Sequence, residues 1–191
     1  MRVATFYELT GILRIFAQRH KTGDMDLQVV ELALCASLHQ AGTTALTALL
    51  AFDPPRWEQR QLPCACGHTA RYVELRSKPV LTAVGKAECL RPYYLCEHCH
   101  RGQFPVDVEL DIENTELSPG VRRMLAAVGY EGPFGQGRKQ IELLAGLSVT
   151  IKAVERTAEA TREAKLGCAG LRLQLGSTII YETGRSLAFR L

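Results

Sequence analysis

Apolar residues recur at helical spacing at both ends of the chain and alternate with polar ones in the middle, which predicts helices flanking a small sheet. Near the start, Phe6, Leu9, Leu13 and Phe16 fall three or four residues apart. Thr5 and Glu8 just ahead of them have the form of a capping box, and Gly23 closes the segment. A second helix begins near Asp24 or Asp26 and places Leu27, Val30, Leu34 and Leu38 on one face. Gly42 breaks it, Thr44 to Leu50 resumes it, and Asp53-Pro54-Pro55-Arg56 ends it. These stripes suit a core or a dimer seam, and no chemistry is assigned to them.

Past residue 68 the period shortens to two. Thr69 to Arg76 alternates apolar and polar, Val80 to Val84 continues, Gly85-Lys86 makes a turn, and Ala87 to Leu95 returns. Helical spacing resumes after Leu117. Ser118 is an N-cap with Pro119 at the first helical position, and this helix runs to about Val128, stopping at Gly129. Phe134 to Ala145, the turn Gly146-Leu147-Ser148 and a helix from about Val149 to Lys165 outline a helix-turn-helix. Its apolar positions Ile141, Ala145, Leu147, Ile151 and Val154 match the usual spacing if the turn is one residue short. The fold class is therefore α+β, mostly helical, with a small β module inserted between helical segments. The divisions are 1–55 helical, 56–105 the β module, 106–117 an acidic linker, 118–165 the helix-turn-helix-like unit, and 166–191 a divergent tail. In that tail Leu171 to Leu175 and Ser177 to Tyr181 can pair as a hairpin.

Chemistry enters with the cysteines. Four of the seven form two tight pairs at the ends of the predicted strands, Cys64/Cys66 and Cys96/Cys99. In an intracellular chain such pairs read as metal ligands rather than disulfides. Two knuckles facing each other across a hairpin supply four soft donors at tetrahedral positions, the layout of a zinc ribbon. Gly67 suits a turn that needs positive φ and lets backbone N–H groups face the sulfurs, and Gly102 sits similarly after the second pair. The first pair is C-x-C rather than C-x-x-C, so His68, His98 and His100 stand in reserve should Cys64 point away. Four thiolates describe a closed structural Zn²⁺ that supplies folding energy, not a catalytic one with an open position. Cys35, Cys89 and Cys168 read as small apolar residues.

Charge adds a second candidate. The chain carries 23 basic and 20 acidic groups. Residues 56–105 carry net +4 and 118–165 net +3, separated by net −5 over 106–117. Two basic blocks suggest two surfaces able to meet phosphate. If the last helix reads DNA from the major groove, Thr150, Lys152, Ala153, Arg156 and Thr157 face base edges or phosphates. Arg122, Arg123, Arg138 and Lys139 are then backbone anchors. The other reading is a plain helical hairpin with a solvated face, since Glu155, Glu159 and Glu163 offset the charge on the same helix.

Taken in order, these stretches resemble bacterial insertion-sequence transposases of the Kra type. The resemblance rests on Leu62 to Val73, Leu81 to Lys86, Arg91 to Cys96 with Cys99, Leu117 to Arg122, and Val154 to Glu159, and covers roughly residues 25–163. It implies the N-terminal, DNA-binding part of a transposase, whose ribbon and helical unit help recognise the element's double-stranded termini. It implies as partners a second copy or a full-length transposase. Such enzymes continue into a core where carboxylates converge on divalent metal. Here the chain stops at Leu191, and residues 166–191 hold one acid, Glu182. The acids of 106–117 read as a flexible hinge without partners, so the expectation is a truncated copy, inactive in transposition. A free-standing regulator and a module pairing with full-length transposase are the alternative readings. No apolar run reaches bilayer length and no cleavage site follows an apolar start, so the expected setting is cytoplasmic, with no membrane partner.

Overall fold

The structure, a computed structural model, describes residues 26–167. The helix expected over residues 5–23, the tail hairpin and Cys168 lie outside the described residues. Helix α1 spans Leu27–Leu49, and its N-cap is Asp26, whose carboxylate accepts a hydrogen bond from the Gln28 backbone N–H at 3.0 Å. A 3₁₀ turn at Trp57–Gln59 leads into β1 (Gln61–Pro63), β2 (Thr69–Thr82), β3 (Gly85–Cys96) and β4 (Gly102–Gln103). These four make one antiparallel sheet in the order β1-β2-β3-β4. Four helices follow: α2 (Pro105–Glu109), α3 (Pro119–Glu131), α4 (Phe134–Ala145) and α5 (Ile151–Gly167). The α+β class and the β module between helical segments match the sequence reading.

Gly42 does not break α1. A glycine inside a helix costs about 1 kcal/mol against alanine; here the missing side chain lets the helix rest on the β2–β3 hairpin, where a Cβ would stand 3.1 Å from Val84. Thr43 Oγ1 donates to the Val84 carbonyl at 2.7 Å, and the Glu88 backbone N–H donates to Thr47 Oγ1 at 3.2 Å. The chain then runs on beside β3, exchanging backbone hydrogen bonds between Leu50, Phe52 and Leu90. Among the described residues, only this C-terminal half of α1 is engaged. In the expected stripe Leu27 is 65%, Leu34 39% and Leu38 52% exposed, so among the described residues it meets no core. No described helix is long and apolar enough to cross a membrane.

The hairpin turn falls at Ala83-Val84, two residues before the expected Gly85-Lys86. Thr82 Oγ1 donates to the Gly85 carbonyl at 2.6 Å, and Gly85 takes φ +127°, with Thr43 Oγ1 only 2.5 Å from where its Cβ would be. Both the backbone conformation and the close approach of α1 require glycine there.

Residues 106–117, expected to be a flexible acidic hinge without partners, are a packed strap. Val106 and Ile112 join Val80 and Cys89 in a buried cluster. The strap is held by backbone hydrogen bonds from Leu81 N–H to the Glu116 carbonyl at 2.7 Å and from Ser118 N–H to the Leu81 carbonyl at 2.9 Å. Asp107, 5% exposed, receives both Arg91 and Lys78: Arg91 Nε and Nη2 donate to its two oxygens, and Lys78 Nζ donates at 3.0 Å. Burying one carboxylate between two cations with its lone pairs used is the condition under which a buried charge is tolerated. The strap carries the chain from the ribbon to α3 in a fixed direction.

Beyond it, Ser118 Oγ accepts from the Val121 N–H at 3.3 Å and caps α3, with Pro119 in the first turn as expected. The helix passes Gly129 and ends at Glu131. Gly129 is where α5 crosses, since a Cβ there would stand 2.7 Å from Ala158 Cβ. The three helices enclose Val121, Leu125, Ile141, Leu147 and Val154.

Candidate metal centre and helical surface

The two knuckles are built by the ends of adjacent strands. The pairing of Ala70 with Cys96 sets the end of β3 beside the start of β2, and the pairing of Pro63 with Thr69 brings the end of β1 there as well. In the first knuckle Cys64 N–H donates to the His68 carbonyl at 2.8 Å and Gly67 N–H to the Cys64 carbonyl at 3.0 Å. Gly67 supplies the expected positive φ, +82°. In the second, Cys96 N–H donates to the Arg101 carbonyl at 3.0 Å, and His100, not Gly102, takes the left-handed conformation, at φ +53°. Gly102 is required for another reason: a Cβ there would stand 2.6 Å from the Tyr93 ring.

This brings all four predicted ligands together. The sulfurs of Cys64, Cys66, Cys96 and Cys99 lie within 4.8 Å of one another, with Cys64 to Cys99 at 3.5 Å and Cys66 to Cys96 at 3.6 Å. A disulfide would need about 2.0 Å. Two sulfurs bound at about 2.3 Å to one tetrahedral ion stand about 3.8 Å apart. The spacing is that of a metal site, and the four cysteines can hold one ion. Cys64 is 7% exposed and aimed inward, so no histidine need replace it. His100 is outside the cluster, whereas His68 and His98 stack beside it with ring centroids 3.7 Å apart.

Backbone N–H groups face the sulfurs, as the turn geometry led one to expect. The Cys66 backbone, then neighbouring thiols, bring the Cys64 thiol down to about 7 against the desolvating effect of burial. The Cys99 backbone chiefly, with that of His98, lowers Cys96. At Cys66 the backbone of His68 acts in the same direction, but desolvation and the three crowding cysteines outweigh it and push the thiol up to about 12. Cysteine binds a metal as the thiolate, so an ion held by these sulfurs would displace their protons and its affinity would rise with pH.

Of the other cysteines, Cys89 is buried in the hairpin core and burial raises its thiol, while Cys35 is exposed on α1. Tyr94 braces the cluster: its hydroxyl donates to the Gln59 carbonyl at 2.9 Å and its ring meets Tyr72 edge-on.

The candidate DNA-contacting residues divide. Lys152 and Arg156 lie one turn apart, both exposed, on the face of α5 opposite the buried Val154 and Ala158. Thr157 is half-buried and, with Arg156 and Ala153, lines a hollow against Asn114 to Leu117 and Arg122. Thr150 caps α5, its Oγ1 accepting from the Ala153 N–H at 3.1 Å. Arg123 and Lys139 are exposed. Arg122 and Arg138 are already engaged: Arg122 Nη2 donates to the Asp111 carboxylate and carbonyl, each at 2.5 Å, and Arg138 pairs with Glu142 at 2.9 Å.

The sequence reading passed over the Arg91–Asp107–Lys78 group. Its signal was a charged residue, Arg91, on the same strand face as Cys89, which calls for a buried carboxylate partner. A cluster nearer the knuckles was missed as well. Arg60 lies over both Trp57, which is 80% exposed, and Tyr72, at 5.9 and 5.8 Å from the ring centroids.

The fold and site define a class: a β-ribbon ending in four clustered cysteines that could hold a metal ion, strapped to a three-helix unit. Compared with protein-family models, with curated proteins and with solved structures, the chain finds no match.

Proposed function

We propose that this chain is a zinc-stapled module that binds double-stranded DNA, and that it is the end-recognition part of an insertion-sequence transposase of the Kra type it resembles. The observation that carries the reading is the pair Lys152 and Arg156, exposed together on the first turns of α5 while Val154 and Ala158 anchor the opposite face. A helix held in this way, preceded by a short turn after α4, can be laid in a major groove with its N-terminal residues toward base edges. Arg123 and Lys139 add exposed positive charge for the phosphates, while Arg122 ties α3 to the strap through Asp111 and Arg138 pairs with Glu142 along α4. Zn²⁺ is the metal that four thiolates at this spacing suit best. The reading assigns these residues binding, and no catalytic step is placed on them.

Selection of the zinc-loaded protein against a random duplex pool tests it. The expected outcome is an enriched sequence bound with a steep loss of affinity on adding salt. Arg156→Ala should change the enriched sequence, and Lys139→Ala should weaken all duplexes alike. No enrichment, together with no binding to any duplex at low salt, overturns the proposal.

A further inference from the structure

Beside the four sulfurs, and sharing one of them, lies a second set of donors that a tetrathiolate site leaves free. Cys66 Sγ and the ring nitrogens of His68 and His98 lie within 4.8 Å of one another, and all three residues are exposed. His68 Nδ1 stands 3.7 Å from Cys66 Sγ and 3.2 Å from the Cys66 carbonyl oxygen. The imidazoles are stacked at 3.7 Å between centroids and 9° between planes. His68 follows Cys66 by two residues on one knuckle, and His98 stands between Cys96 and Cys99 on the other. The pairing that converges the thiols therefore converges the rings.

Two imidazole nitrogens bound at about 2.0–2.1 Å to one tetrahedral ion are about 3.4 Å apart; to share an ion the two rings must tilt out of their parallel stack so that their in-plane lone pairs converge on it. A thiolate already bound to one ion keeps lone pairs and can bridge to a second. Exposure keeps the desolvation cost low and leaves space for a further ligand.

We infer that Cys66, His68 and His98 form a second metal site, for a borderline-soft divalent ion such as Zn²⁺, with Cys66 as bridging ligand. In contrast to the closed tetrathiolate site, its three protein donors leave a coordination position for water or an incoming ligand. The inference rests on the tetrathiolate site being loaded, and is independent of DNA binding.

Native mass spectrometry and calorimetric titration of the full chain with Zn²⁺ test it. The expected result is two ions per chain, the second bound more weakly. The double variant His68→Ala/His98→Ala should bind one, with the tighter affinity unchanged, and His100→Ala should still bind two. A single ion in the unaltered protein, or a second ion persisting in the double variant, overturns the second site alone. No ion bound at all overturns the tetrathiolate reading with it.

Discussion

At the knuckle end of the hairpin the buried cluster consists of Cys64, Ala70, Tyr94 and Cys96, two of them metal-ligand candidates and one an alanine. In the three-helix unit it consists of Val121, Leu125, Ile141, Leu147 and Val154, flanked by Met124, Val128, Phe134 and five further apolar side chains. The first group, even with Leu62 and Tyr72 packed against it, has little apolar surface to hold two loops and four crowded thiols together, and its four cysteines could hold a metal ion that adds to their cohesion. The second has the composition of an ordinary core and needs no ion. Between them the strap, with Asp107 between Arg91 and Lys78, fixes the direction in which one region leads to the other. With an ion bound by the four cysteines, such a module would be held by coordination at one end and by packing at the other, and the two could be lost separately.

The largest expected effect separates them by chemistry. Chelation of the metal, or Cys99→Ser, should abolish the ordered knuckles while leaving helical circular dichroism from α3, α4 and α5 largely in place. A single cooperative loss of both signals would show that the regions are one unit. Next in size, Asp107→Ala leaves Arg91 and Lys78 buried without their carboxylate and should cost about 3–5 kcal/mol in denaturant unfolding. Metal stoichiometry should be unchanged, because the strap is remote from the sulfurs. Smaller still, Leu125→Ala, at a fully buried position, should cost about 2–5 kcal/mol. That loss should appear in the unfolding of the helical unit and not in the metal affinity.

The same contrast explains what was legible in the chain. The convergence of the four cysteines could be read directly, because the pairs stand at the ends of alternating segments that strand pairing brings together. The cap at Ser118 and the boundaries of α4 were legible for local reasons too. The uninterrupted α1 was not: Gly42 signals a break by propensity, and only the approach of Val84 shows what the missing side chain is for. The acidic run 106–117 misled for a related cause. Five carboxylates in twelve residues look like solvated linker, yet Asp107 is claimed by two cations contributed from β2 and β3. Arg122, on the face expected to meet phosphate, is likewise held by Asp111.

By itself, then, the sequence determined the helix–sheet–helix order, the four cysteines that come together and the alternation that sets them at one end of a hairpin. These depend on spacing along the chain, which turn chemistry and strand period convert into position. Which acids and bases pair, which glycines are needed for close approach, and that His68 and His98 stack beside a thiolate they need not replace were decided only by the tertiary structure. Those facts depend on residues tens of positions apart meeting across a fold, and no local period records such meetings.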